Sequence, residues 1–492
     1  MSAAQDLAHS AARGAVFTMG AQLARILLQL LSVVVLARLL TPHDYGLLAI
    51  ALVIVGIGEI FRDFGLTSAA VQAPVLSNGQ RDNLFWINSS LGVFLAIIVF
   101  LSAWPITWVS GQDELLVIVQ ALSLVFVLNG LATQYRAQLM RALGFTALAI
   151  ADVVSAAVAL VIAVGAAVLG AGYWALVYQQ LATAAILLIM LVWFGRWRPG
   201  MYSRQHKVGE LVRFGWHLVA TNLITYGAAQ VDTILVAAKF GTAPLGFYNR
   251  AYQIVMTPLN QIRSPITNVA LPVFSRAQED RERFNSFVVA GQLALGYSLG
   301  VPLLLVCGLA EPVVAIMLGA QWEEATPVLR FFAIAGTLTT LSFVGYWVYV
   351  SRGLSKQLLQ YSLVSTAIRL ICIVGGSFFG VVGIAAGFAL APALAWPLSI
   401  FWLSRVTDLP VRALYTGASR ILLVSATGAL AAWAASEAVA SAGGPWLSLG
   451  CGLAAAAAAI GLLFVVPQLR RDAATLRSIV KLMVQGRRKL QD

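Results

Sequence analysis

Long apolar runs separated by short polar turns fill this chain from end to end. Each run matches the length a helix needs to cross the roughly 30 Å hydrocarbon core of a bilayer. The pattern predicts about fourteen membrane-spanning helices, at residues 14–37, 46–62, 84–109, 114–134, 147–170, 172–195, 214–238, 247–274, 286–309, 326–350, 357–380, 382–404, 418–438 and 445–467. The segments between them are too short to form a soluble domain. The first run is too long for a cleavable leader, carries Arg25 and lacks a small-residue cleavage site.

The turns repeat. Arg38-Leu-Leu-Thr-Pro-His-Asp-Tyr-Gly-Leu is echoed by Lys239-Phe-Gly-Thr-Ala-Pro-Leu-Gly-Phe-Tyr-Asn-Arg250. Two further echoes follow: Gly111-Gln-Asp-Glu by Gly319-Ala-Gln-Trp-Glu-Glu, and Arg141-Ala-Leu-Gly-Phe by Arg352-Gly-Leu-Ser. A repeat this long is a duplicated membrane domain rather than a solenoid. Each copy holds six spans, an even number, so both enter the bilayer from the same side as a parallel repeat. The expected organisation is an N-terminal lobe at 1–200, a C-terminal lobe at 201–411, two additional helices at 412–468 and a basic tail at 469–492. The Ala-rich last pair is expected to be peripheral. The tail spaces Leu476, Ile479, Val480, Leu482 and Met483 as an amphipathic helix lying on the membrane surface would, and a solvated basic tail is the alternative.

Composition agrees: the chain is 60% hydrophobic and 11% charged. The net charge of +12 is a matter of topology rather than of nucleic-acid binding. With the N-terminus in the cytoplasm, 25 of the 32 Lys and Arg fall on the inner side, while Arg38, Lys239 and Arg250 fall on the outer side. That bias sets the orientation, with both termini cytoplasmic and anionic lipid as a contact. Cys307, Cys372 and Cys451 all lie within spans, read as small apolar packers rather than disulfide or metal ligands.

Polar stripes inside spans need a reason. Thr18, Gln22, Arg25, Gln29 and Ser32 share one face of the first helix. A charge at bilayer depth costs several kcal/mol, roughly 3 on insertion scales, unless it meets water or a partner. This face either lines a hydrated cavity or hydrogen-bonds to neighbouring helices. In the second half, His217, Thr221, Thr225 and Asp232 lie near one side. The eighth span carries Gln253, Thr257, Gln261, Ser264 and Asn268 beside Arg263, with Pro258, Pro265 and Pro272 seven residues apart. Proline at that spacing kinks a helix, here as a moving element or as a static bend. Asp232 and Asp63 are the candidates for proton or sodium coupling, and Asp152 and Glu311 read as caps or interfacial groups. Glu59 and Arg62 are close enough to pair. No nucleophile elbow, P-loop or paired-carboxylate motif occurs, so a transporter is expected, not an enzyme, with no cofactor beyond a coupling ion.

Arg38-Leu-Leu-Thr-Pro-His-Asp-Tyr-Gly-Leu-Leu-Ala, Phe61-Arg-Asp-Phe-Gly-Leu-Thr-Ser-Ala-Ala-Val-Gln72, Val231-Asp-Thr-Ile-Leu-Val-Ala-Ala-Lys-Phe-Gly-Thr and Leu245-Gly-Phe-Tyr-Asn-Arg-Ala-Tyr-Gln-Ile254 resemble the bacterial polysaccharide transporters of the multidrug/oligosaccharidyl-lipid/polysaccharide (MOP) exporter superfamily. The Wzx-type flippases of O-antigen and exopolysaccharide are the group most similar, over about residues 10–405. The resemblance implies an all-α fold of two six-helix bundles in a V, alternating access, and an oligosaccharide on undecaprenyl diphosphate as substrate. It also implies a cationic cavity, which Arg25, Arg263 and Arg369 could supply, with Gln22 and Gln29 beside them. The expected protein is an inner-membrane flippase serving lipopolysaccharide, capsule or exopolysaccharide synthesis alongside a polymerase and chain-length proteins. Arg38, Lys239 and Arg250 form an outer-rim gate in this reading, with Asp44 as a locking partner. The alternatives are a cation-coupled drug antiporter of the same superfamily or a membrane-bound polymerase.

Overall fold

The computed structural model describes residues 2–63, 77–203, 222–223, 225–441 and 443–488; side chains are described except at 2–19, 62–63 and 478–488. Among the described residues the secondary structure is helical throughout. The helices are α1 (Ser2–Leu39), α2 (Pro42–Asp63), α3 (Asn78–Ser110), α4 (Glu114–Arg141), α5 (Phe145–Val168), α6 (Trp174–Gly195), α7 (Val231–Phe240) and α8 (Thr242–Ala277). They continue as α9 (Arg281–Gly308), α10 (Ala310–Met317), α11 (Ala325–Ser351), α12 (Ser355–Gly376), α13 (Gly380–Val406), α14 (Val411–Ala440), α15 (Pro445–Leu463) and α16 (Pro467–Arg488).

Eleven described stretches are long and apolar enough to cross a membrane. One of them, Ser355–Val406, holds two expected spans broken near Gly380, whose φ of 83° places it where a side chain is strained. Every expected span but the seventh and eighth falls in these stretches. The seventh lies partly outside the described residues, His217 and Thr221 with it. The eighth is the continuous helix α8, too polar to qualify by composition. The segment between the expected spans 286–309 and 326–350 contains the short helix α10.

The chain divides into two compact units, Met1–Asn249 and Arg250–Asp492. In the first, α3 and α4 approach through small residues. A Cβ on Gly92 would lie 2.5 Å from the Phe126 carbonyl, and one on Gly130 would lie 2.9 Å from that of Asn88. Membrane helices associate by such close backbone packing because burying apolar surface out of lipid gains little. Phe85, Tyr135 and Trp197 meet edge to face at centroid distances of 5.2–6.0 Å, and Arg81 lies 4.4 Å above the Trp197 ring.

In the second unit, α11 is the most buried span, and α9 is interrupted by a π turn at Gly296–Gly300. Such a turn leaves a carbonyl without its helical partner. Thr337 Oγ1 donates to the Gly300 carbonyl at 3.0 Å. Helix α14 joins this unit by its small-residue face: a Cβ on Gly308 would sit 2.1 Å from the Ala429 carbonyl. Helix α15 is largely exposed. The tail forms the helix α16.

The repeat is visible in the backbone. After α4, Leu143 N donates to Met140 O and Gly144 N to Leu139 O; after α11, Gly353 N donates to Val350 O and Leu354 N to Tyr349 O. The left-handed residue is Leu143 (φ 55°) in one copy and Gly353 (φ 67°) in the other.

Candidate functional site

The echoed turns lie against each other within the first unit. Thr41 caps α2 in a reciprocal arrangement: its N–H and Oγ1 donate to Asp44 Oδ2 at 2.8 and 2.7 Å, and Asp44 N donates back to Thr41 Oγ1 at 3.3 Å. Asp44 is therefore a capping carboxylate, with no ion pair to a rim cation among the described residues, contrary to the lock expected of it. The cap leaves the first turns of α2 and α8 in direct backbone contact. A Cβ on Gly46 would lie 1.8 Å from the Thr242 carbonyl, and a Cβ on Gly246 would lie 2.0 Å from the Pro42 carbonyl. His43 Nδ1 and Thr242 Oγ1 share a hydrogen bond of 2.7 Å, and His43 Nε2 is 4.0 Å from Glu114. Farther along α2, Gly56 packs on Tyr226, whose hydroxyl donates to the Val53 carbonyl at 3.3 Å.

Of the cations expected at the rim, Arg38 and Lys239 are exposed at the ends of α1 and α7, and Arg250 is 6% exposed on α8. Asp232, 2% exposed, accepts a 2.8 Å hydrogen bond from Tyr248. The side chain of Asp63 lies outside the described residues.

At span depth, Gln22 and Arg25 line a cavity of about 190 Å³ with Arg136, Met140 and Asp152. Asp152 is already paired with Arg136, the interfacial rather than the capping role of the two expected for it. The cavity therefore retains the charge of one guanidinium, that of Arg25. Gln29 is half-buried on the same helix, and beyond it Ser32 accepts from Gln179 Nε2 at 2.8 Å. The polar stripe is thus interhelical at one end and lines a cavity at the other.

In the second unit, Arg263 is exposed on α8 and lies 5.0 Å from the Phe343 ring and 5.5 Å from that of Tyr346. A stacked guanidinium keeps its in-plane N–H donors for another partner. Arg369 lies 4.7 Å above Phe388, which meets Phe332 edge to face. Two further acids near span ends have local partners. Arg330 donates to Glu311 at 2.7 Å, and Asn129 donates to Glu59 at 2.8 Å.

Sequence reading missed the aromatic shelf under Arg263 and the partners of the interfacial carboxylates. A signal existed for the latter. Arg136 and Asp152 are equidistant from Gly144, and Asp232 and Tyr248 from Phe240, as residues facing across an antiparallel helical turn must be.

A family described as polysaccharide biosynthesis protein matches residues 35–327, more than half of the chain. The lipopolysaccharide biosynthesis protein WzxC of Escherichia coli (strain K12) is 27% identical over 386 residues, 76% of this chain and 77% of its own. The succinoglycan biosynthesis transport protein ExoT of Rhizobium meliloti (strain 1021) is 27% identical over 328 residues, 66% of each. Among solved structures, the lipid II flippase MurJ in an inward closed conformation matches with a TM-score of 0.66 at 13% identity, covering 91% of this chain and 98% of MurJ. An inward-facing multidrug resistance MATE family transporter of the MOP superfamily matches at 0.60 and 15% identity, covering 82% and 99%. The fold is that of the MOP transporters, in a multi-pass membrane protein, as the resemblance implied. The chain belongs to the polysaccharide biosynthesis protein family.

Proposed function

We propose that the protein is a flippase that moves undecaprenyl-diphosphate-linked oligosaccharide from the inner to the outer leaflet of the bacterial cytoplasmic membrane, with both termini in the cytoplasm. The observation that carries this reading is the contrast among arginines in or bordering the spans. Arg136 and Arg330 are neutralised by carboxylates, whereas Arg25 and Arg263 have no carboxylate partner among the described residues. A diphosphate offers the acceptor geometry that a guanidinium fork donates to in pairs. The likeness to WzxC and ExoT, and the fold shared with the lipid II flippase MurJ, support the substrate class.

In this reading Arg25 of the first unit and Arg263 and Arg369 of the second are the candidate diphosphate ligands, and Gln22 and Gln29 beside Arg25 donate to sugar hydroxyls. The Gly46–Thr242 and Gly246–Pro42 contacts close the outer end, and Arg38, Lys239 and Arg250 line the exit. Asp232, beside that contact, couples its opening to a proton or sodium gradient, and Asp63 is the second candidate. The released glycan passes to a polymerase and chain-length proteins.

The test is flipping of a lipid-linked oligosaccharide in proteoliposomes. Arg25→Ala and Arg263→Ala should each lose transport while their melting temperatures stay at the parent value. Wild-type rates in both variants would refute the assignment.

A further inference from the structure

We propose that the elbow between α15 and α16 is a binding site for the phosphate headgroup of an anionic phospholipid. Helix α15 ends at Leu463, and Pro467 opens α16 after a short turn. A cavity of about 550 Å³ lies in the bend, lined by Gly461, Phe464, Val465, Arg470, Ala473 and Arg477. Arg470 and Arg477 are seven residues apart, two helical turns, and so project on the same side of α16. Ala473 lies between them and leaves the space open. Arg470 Nε donates to the Phe464 carbonyl at 2.7 Å, which fixes its guanidinium at the mouth of the bend.

Among the described residues no carboxylate lines this cavity. The nearest in sequence, Asp472, is buried elsewhere: Arg420 donates to it through Nε and Nη2 at 2.8 and 2.9 Å, and the Tyr297 hydroxyl donates at 3.0 Å. Its charge is matched there and does not cancel the elbow arginines. In the lining with the two cations Val465 is 70% exposed, and Leu462, next to Gly461 on α15, is 74% exposed. Paired cations over bare aliphatic surface, at the point where a span ends, complement an anionic headgroup with its acyl chains beneath. A free phosphate would meet the cations but would leave the aliphatic wall uncovered.

The site also has a route into the rest of the unit. Asp472 ties α16 to α14 through Arg420 and to the π turn of α9 through Tyr297, so a lipid that steadies α16 steadies all three helices.

The experiment is thermal unfolding of the full chain in nanodiscs of phosphatidylcholine, with or without phosphatidylglycerol. Phosphatidylglycerol should raise the melting temperature of the parent. R470Q/R477Q should lose the phosphatidylglycerol shift measured against its own melting temperature in phosphatidylcholine, and inorganic phosphate added to phosphatidylcholine discs should leave the parent unchanged. A full shift retained in the double variant, or the same shift produced by inorganic phosphate alone, overturns the proposal. If the double variant does not fold, R477Q, which keeps the Arg470–Phe464 bond, must show a reduced shift, and a full shift there overturns it equally.

Discussion

The turn contact of α2 with α8 and the polar face of α1 are built from opposite materials. The contact is made of glycines, carbonyl oxygens and one short hydrogen bond, with no room for a methyl group at Gly46 or Gly246. The α1 face carries Gln22 and Arg25 beside a cavity of about 190 Å³. Close packing of small groups makes a contact that is either fully made or absent, because a gap of a fraction of an ångström forfeits much of its dispersion energy. Long polar side chains around open volume can instead adapt to a bound group. The first construction suits a gate and the second suits a site.

The strongest way to break this comparison is a single methyl group. Gly46→Ala or Gly246→Ala should separate the first turns of α2 and α8, at a cost of about 1–3 kcal/mol for overpacking. The largest fall in flipping is expected here, with faster hydrogen exchange at residues 42–48; normal transport with unchanged exchange would remove the contact from the gate. Asp232→Asn preserves the shape beside the contact and the acceptor for Tyr248 but removes a charge. Its transport should no longer respond to an imposed proton or sodium gradient, and a parental response would clear Asp232 of coupling. A smaller effect is expected from Thr242→Val, which deletes the hydrogen bond to His43. The loss of about 1 kcal/mol would raise the open population of the contact roughly fivefold, read as exchange protection over the same segment. The control is Gly20→Ala, on the side of α1 away from its polar face, where an added Cβ meets nothing within 4 Å. It should leave transport intact and raise stability by about 0.5–1 kcal/mol through helix propensity.

Much of the fold is legible in the sequence because a bilayer leaves a chain few options. Backbone groups in hydrocarbon must bond within helices, so apolar length alone located α3, α5 and α6 within a few residues of an end. The break of helix at Gln230 was not legible, since the one signal nearby, an isolated Gly227, is tolerated inside helices. The site was legible as chemistry and hidden as geometry. Arg25 and Arg263 stand out as costly residues, but which arginines already have partners depends on contacts between helices. Arg420 finds Asp472 across 52 residues, a distance that helical periodicity does not encode. The two glycines were visible as turn residues in a repeat, and their role as contact surfaces emerges when the copies are brought together.

The contact of the two turns maps onto itself when the copies are exchanged: residue 46 meets the carbonyl of 242, and residue 246 meets that of 42. An interface of this self-complementary, isologous kind is what a half-length chain would form with a second molecule of itself. In such a homodimer every substitution falls twice, so neither side can specialise. Fusion into one chain lifts that constraint, and the difference is recorded at one position. His43 bonds to Thr242, while its counterpart Ala243 has no side chain with which to return the bond to Pro42.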